Sequence, residues 1–473
     1  MQITKRTKII TTIGPSSHKK EVISQLFDAG MTTVRLNFSH GTYQEQLERI
    51  NNTRAVMKEK GLPISIMLDT KGPEVRVGKF QHSVQKIIAN QVVVVLTDPA
   101  SYQKLKAKVG QITVSADISQ NLEPGDLILV DDGKLQLEVT SVKPQTIKTR
   151  AINHHRLKPN KRINLPGKPF LMPFLTEKDV EDIKFGCAQK VDFIAASFVN
   201  SPDDIQQIRE ILKQQQATQI KIIAKIESQY AINNFDKILA AADGIMVARG
   251  DLGLEIPYFE VPVVQKMMIR KCREAGKPVV VATQMLDSME KNPHPTRAEV
   301  TDVYIATELG ADATMLSGES AAGQYPIEAV KVMSTINARA EKEFYNKLYY
   351  QVQLEAIEKI SRGARAKIAR SVARKTINGD FKFTVVLSRT GQLLQEVAKF
   401  RPNTNILGVT NNAQQTTMFG ITSSVFMSPD TSQFEAIKAN KQKALDVAKI
   451  YGAKKGDKLL VVENKAITIL SYR

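Results

Sequence analysis

The strongest constraint on this chain is a rhythm. Short apolar, β-branched runs alternate with amphipathic segments of helical spacing: TKIITTIG then HKKEVISQLFDAG, TVRLNFS then TYQEQLERINNTRAVMKEKG, then ISIMLDT. A strand covered on both faces by helices reads as a continuous apolar run, so these are βα units of a parallel sheet. The rhythm stops at Lys71 and returns after Leu175 with FIAASFV, IKIIAKIE, GIMVAR, PVVVATQ and ATMLSGE, each followed by a helical pattern. Three strands before the break and five after it make eight units. Eight units predict an α/β fold, a (β/α)8 TIM barrel interrupted after its third strand.

The interruption, residues 71–166, holds only short strand-like pieces, among them VVVVLT, QITVSA, DLILVDDGKLQLEV with a turn at Asp132-Gly133, and TIKTRAI. It reads as an all-β lid domain whose junctions, DTKGPEVR and KRINLPGKP, have the Gly, Pro and Lys content of hinges. Residues 1–70 and 167–344 then form the barrel, its last helix being IEAVKVMSTINARAEKEF. Residues 345–473 begin with an Ala-, Lys- and Arg-rich helical stretch and continue as a C-terminal α/β domain, with a long helix expected through ALDVAKIYG.

Composition narrows the setting. Hydrophobic residues are 42% and charged residues 24%, and no apolar run approaches the roughly 18 residues of a membrane helix. The start, MQITKRTKII, enters a strand pattern without a signal-peptide core, and Cys187 and Cys272 are too far apart for a metal pair. A cytoplasmic protein with two unpaired thiols and no membrane association is expected. The net charge of +18 favours phosphorylated small molecules or nucleic acid without choosing between them. Residues 359–375, KISRGARAKIARSVARK, carry seven Lys or Arg and no acid. On a helix they read first as a solvated or interface face, with a nucleic-acid surface as the sharper alternative. His154-His155 lack clustered partners and are not read as a metal site.

A barrel keeps its chemistry at the C-terminal ends of its strands. Strand two ends in Arg35, Asn37, Ser39 and His40, and strand three in Asp69 and Thr70. Strand five ends in Lys225 and Glu227, strand six in Arg249, Gly250 and Asp251, strand seven in Thr283, and strand eight in Ser317 and Glu319. Alternation puts Lys225 and Glu227 on one side of their strand, with Asp251 in reach if strands five and six are parallel neighbours. Two carboxylates and a lysine suit a hard divalent cation and a phosphate. Taken alone a Lys-x-Glu pair is usually a solvated ion pair of little worth, but inside a barrel strand that reading would place charges in a packed interior. Asn37, Ser39, Asp69 and Thr70 read individually as caps or turn residues; together they offer neutral oxygens and one carboxylate to a weakly charged cation.

The ordered set AGMTTVRLNFSHG, DTKGPEVR, NLPG, KIIAKIE, DGIMVARGDLG, ATQML, PTRAEVTDV and MLSGESAAGQYP resembles the pyruvate kinase family over nearly the whole barrel and both lid hinges. The resemblance implies phosphoryl transfer from phosphoenolpyruvate to ADP, giving pyruvate and ATP in glycolysis. It also implies residue roles, with Mg²⁺ (or Mn²⁺) on Glu227 and Asp251 and K⁺ on Asn37, Ser39, Asp69 and Thr70. Glu74 is the residue that accompanies K⁺ dependence in this family. Lys225 and Arg35 would meet the transferring phosphoryl group, Gly250, Asp251 and Thr283 would seat the substrate, and Asn37, His40, Arg76 and Lys161 would meet the nucleotide. Ser317 and Glu319 would belong to the path that protonates the enolate. A homotetramer and a sugar-phosphate effector are further implications, the effector at Ser388-Arg389-Thr390-Gly391, whose equal alternative is an ordinary strand-to-helix turn. The ending ENKAITILSYR lacks a Gly-rich closing loop beside it.

The chain departs from the family pattern at Ala224, at Tyr304-Ile305 and at Arg162, which stands where a hinge glycine is usual. Two rivals differ in kind. A basic nucleic-acid-binding protein on a barrel scaffold would want aromatic-interleaved basic motifs, which are missing, so no nucleic-acid partner is expected. A lyase acting on enolates would have no use for Arg76, Lys161 or a lid.

Overall fold

The computed structural model describes residues 2–168, 172–346 and 348–473. Its centre is a closed barrel of eight parallel strands: β1 (Lys8–Thr12), β2 (Thr33–Asn37), β3 (Ser65–Asp69), β4 (Phe193–Ala196), β5 (Lys221–Ile226), β6 (Gly244–Ala248), β7 (Val279–Ala282) and β8 (Ala313–Leu316). The strands close in sequence order, β8 pairing β1 through Lys8↔Ala313. The (β/α)8 barrel expected from the rhythm is therefore the fold. Ile10, Met67, Phe193, Ile223, Met246 and Met315 fill the interior. A larger apolar layer lies between the strands and the surrounding helices.

Local sequence sets the helix starts. Thr42 with Glu45, Thr176 with Asp179, Ser201 with Asp204 and Thr296 with Glu299 each form a reciprocal capping box, which satisfies orphan N–H groups at the strand-to-helix turn. These caps fix where each helix begins, and hence where each strand-end loop lies over the barrel mouth.

The lid sheet runs Val75–Arg76, Arg162–Asn164, Leu127–Val130, Leu135–Lys143, Thr146–Ala151, Val92–Leu96, Gln111–Thr113. A bridge between Val77 and Val114 brings its two ends together over a separate apolar core. The expected turn is present, with Asp131, Asp132 and Gly133 all at positive φ. The two- and three-residue strands at 75–76, 85–87, 155–157 and 162–164 are additional, being too short to show a period.

The C-terminal sheet has four parallel strands and a final antiparallel one, Ala466–Ser471. One expectation is corrected here. The long helix is broken into Gln433–Ala439 and Ala444–Ile450, because Asn440 is extended and its side chain accepts the Gln442 N–H at 3.0 Å, drawing a 3-10 turn out of the helix. The helical stretch expected over 345–377 comprises Leu348–Ile360 and Ala364–Lys375. In the second, Ala366, Ala369, Val372 and Ala373 are buried and Arg374 pairs with Glu358, so the basic stretch packs inward on one side and is solvated on the other. Cys187 and Cys272 are buried and free, and burial raises both thiols. Among the described residues no helix is long and apolar enough to cross a membrane.

The C-terminal domain plugs the bottom of the barrel. Ile421 enters the interior apolar cluster, and a Cβ on Gly420 would lie 2.0 Å from Ser65 Oγ, so only glycine permits that approach.

Candidate active site

At the opposite end β5 and β6 are parallel neighbours, with Lys225 level with Met246. This places Lys225 and Glu227 beside the helix Arg249–Glu255, whose first turn carries Asp251. Lys225 is 9% exposed, and its Nζ donates to Ser197 Oγ at 2.7 Å and Asp69 Oδ1 at 3.1 Å, and lies 3.0 Å from Glu227 Oε1. Arg35 donates from Nε to Asp69 Oδ2 at 2.6 Å and from Nη1 to Thr12 Oγ1 at 2.9 Å. Two cations and two acids from three strand ends thus interlock in a buried cluster.

Burial opposes ionisation of Lys225, Asp69 and Glu227, and the arrangement decides which keep their charge. It would lower Lys225, but Asp69 and Glu227 outweigh it and push the ammonium up to about 12. It would raise Asp69, but Arg35 and Lys225 hold that carboxyl below the usual range. Glu227 goes the other way: burial, then repulsion from Asp251, outweighs Lys225 and the Phe198 N–H and lifts the carboxyl to about 7. Glu227 Oε2 accepts that N–H at 2.7 Å, whereas Oε1 faces the Lys225 ammonium at 3.0 Å.

The lid covers this cluster and encloses a cavity of about 560 Å³. Arg35, Asn37, Ser39, His40, Asp69, Lys225, Glu227 and Asp251 line it from the barrel, and Glu74, Arg76, Lys161 and Arg162 from the lid and its hinges. Glu74 accepts from Arg76 Nη2 at 2.6 Å, Lys161 pairs with Asp131 at 2.8 Å, and Arg162 reaches across to Asp251.

Other expected residues lie behind this wall. Thr283, at φ 68, accepts the Gly250 N–H at 2.7 Å and does not line the cavity. Glu319 is buried, accepts N–H groups from Ser317 at 2.7 Å and Leu286 at 3.1 Å, and is raised by burial. Ser317, Glu319, Gly250 and Thr70 are likewise absent from the lining. Thr70 Oγ1 accepts the Ser197 N–H at 3.1 Å, and Asn37 Oδ1 accepts the Ser39 N–H at 3.0 Å. Arg249 turns away to Asp302 at 2.6 Å and the carbonyl of Thr283 at 2.7 Å. His155 bonds Asp131 at 2.9 Å.

Sequence reasoning missed Ser197, which bonds Lys225, Asp69 and the Thr70 carbonyl at once. It is the first residue past β4, so the strand-end rule itself would have found it. The Phe198 N–H, offered from a positive-φ residue, has no side-chain signal at all.

With this geometry established, the comparisons with known proteins decide the family. A family model described as the barrel domain of pyruvate kinase matches residues 4–330. The chain belongs to the pyruvate kinase family. It is 42% identical over 448 residues to a pyruvate kinase of Bacillus licheniformis, an alignment covering 93% of this chain and 75% of that one. It is 42% identical over 461 residues to a pyruvate kinase of Mycoplasma genitalium, with 89% of each chain covered. A crystal structure of a pyruvate kinase from Cryptosporidium parvum superposes with a TM-score of 0.91 at 34% identity, covering 99% of this chain and 97% of that one. The reaction is that of pyruvate kinases: phosphoryl transfer from phosphoenolpyruvate to ADP, giving pyruvate and ATP in glycolysis. The pyruvate kinase resemblance read from the barrel motifs and this family assignment agree.

Proposed function

We propose that the cavity between barrel and lid is the phosphoryl-transfer site, with the roles divided as follows. Lys225 and Arg35 neutralise charge on the phosphoryl group in flight, a step in which positioning and electrostatics do most of the catalysis. Glu227 and Asp251 suit Mg²⁺ or Mn²⁺: both are oxygen donors, and both line the same cavity. Among the described residues no group of three or more His, Cys, Asp or Glu is gathered for a metal, so these two carboxylates are the acids that would hold it. A divalent cation held there would offset the negative charge of the substrate. K⁺ is assigned to Asn37, Ser39, Asp69 and Thr70, whose mostly neutral oxygens suit a weakly charged ion, with Glu74 nearby.

Gly250, Asp251 and Thr283 seat phosphoenolpyruvate, Thr283 acting through the Gly250 N–H it accepts. Asn37, His40, Arg76 and Lys161 meet ADP, and the lid excludes water that would otherwise take the phosphoryl group. Ser317 and Glu319, outside the cavity, serve the protonation of the enolate. The domain division is 1–70 with 167–344, 71–166, and 345–473. A cytoplasmic homotetramer with a sugar-phosphate site at 388–391 completes the proposal.

The observation that carries it is the seating of Lys225 Nζ among Asp69, Glu227 and Ser197 with Arg35 alongside. The test is ADP-dependent pyruvate formation with Mg²⁺ and K⁺, run with and without sugar phosphates. No turnover under those conditions defeats the proposal; pyruvate release without ADP favours a lyase. Equal rates in Na⁺ and K⁺ remove the monovalent site, and light scattering of a monomer or dimer removes the tetramer.

A further inference from the structure

Arg162 stands in the lid but reaches into the barrel. Its backbone opens the strand Arg162–Asn164, pairing with Arg76 on one side, and its carbonyl accepts the Asp131 N–H at 3.0 Å on the other. Its guanidinium donates to Asp251 Oδ1, and Nη1 lies 3.5 Å from Glu74 Oε1. Asp132 Oδ1 is 3.9 Å from Nη2. These acids come from the barrel mouth, the hinge and the lid turn. Arg162 and Asp251 are 21% and 17% exposed, so the pair is largely withdrawn from water. A planar fork can meet two carboxylates at once, which a lysine cannot do from one point.

The carboxylate oxygen that Arg162 occupies is one that a divalent cation would need. We propose that Arg162 is an internal competitor for the divalent-cation site, holding Asp251 and closing the lid until a metal displaces it. This rests on the reading that Glu227 and Asp251 hold the metal. Binding of the cation and the Arg162–Asp251 contact are then linked, each weakening the other by the same factor. The apparent metal affinity is lowered by the fraction of molecules in which Arg162 is engaged.

The test is Mn²⁺ binding to the purified full chain, without substrates, followed calorimetrically and by the EPR signal of free Mn²⁺. Arg162→Gly and Arg162→Gln should each bind Mn²⁺ about tenfold more tightly or better, the glutamine variant guarding against a hinge made too loose. Small-angle scattering of both metal-free variants should show a more open particle than the parent. Equal or weaker Mn²⁺ binding in both variants overturns the competition. In that case, a large loss of binding in Asp251→Asn shows that the metal-site reading still stands. Unchanged binding in Asp251→Asn overturns both.

Discussion

The two ends of the barrel bury similar charges and use them differently. At the bottom, Asp312 accepts the Val279 N–H at 3.2 Å, the Ser423 N–H at 3.0 Å and Arg401 at 2.8 Å, and both ion-pair partners are 7% exposed. Asp192 there accepts the Ile66 N–H at 2.7 Å and the Thr417 hydroxyl. These carboxylates have their partners on two domains and join them. At the mouth, Glu227 shares the Lys225 ammonium with Asp69, and Asp251 is met by a cation borrowed from the lid. A buried carboxylate with partners of its own is a structural joint, and one whose cation is shared or borrowed is a place where a ligand can take over the contact.

Four experiments break or sharpen that contrast. Lys225→Met should lower kcat on the order of 10⁴-fold, as loss of a cation on a transferring phosphoryl does, while circular dichroism shows the fold retained; a loss under tenfold would break the distinction. Asp312→Ala should do the reverse, leaving Arg401 buried without its acid at a cost of about 3–5 kcal/mol. Chemical denaturation would measure it, with KM unchanged where the protein stays folded.

A smaller effect is expected at the mouth. Glu227→Gln should weaken Mn²⁺ binding about 100-fold or more while leaving the Tm of metal-free protein at pH 8 equal or higher. The amide removes a carboxylate that the fold does not favour ionised. The smallest effect is in pH. The Glu227 carboxyl is raised from 4.5 to about 7, so below that pH a proton must leave before metal binds. Mn²⁺ affinity should rise about tenfold per unit up to roughly pH 7 and then level. For the metal-free fold the sign is opposite. The stabilising contribution of this raised carboxyl is full below 4.5 and is lost as pH climbs through about 7. Metal titrations and urea melts across pH 5 to 8 check both slopes.

Much of the barrel was legible because parallel strands buried on both faces leave continuous apolar runs, and because the helices between them keep an amphipathic spacing. Lys225, Glu227, Asp251 and Arg35 were legible because a charged residue at a barrel strand end has few structural uses. Ser197 was overlooked at the end of β4, although the same rule covers it. The short lid strands and the break at Asn440 carry no periodic signal, and a backbone N–H such as that of Phe198 carries none at all.

Sequence alone determined the eight units, the position of the insertion and the strand ends that carry charge, since these depend on local pattern and spacing. Only the tertiary structure decided which oxygens of Glu227 and Asp251 are occupied, that Thr283, Ser317 and Glu319 stand behind the cavity wall, and that Arg162 crosses from lid to barrel. Those facts depend on distances between residues far apart in the chain, and no periodicity records them.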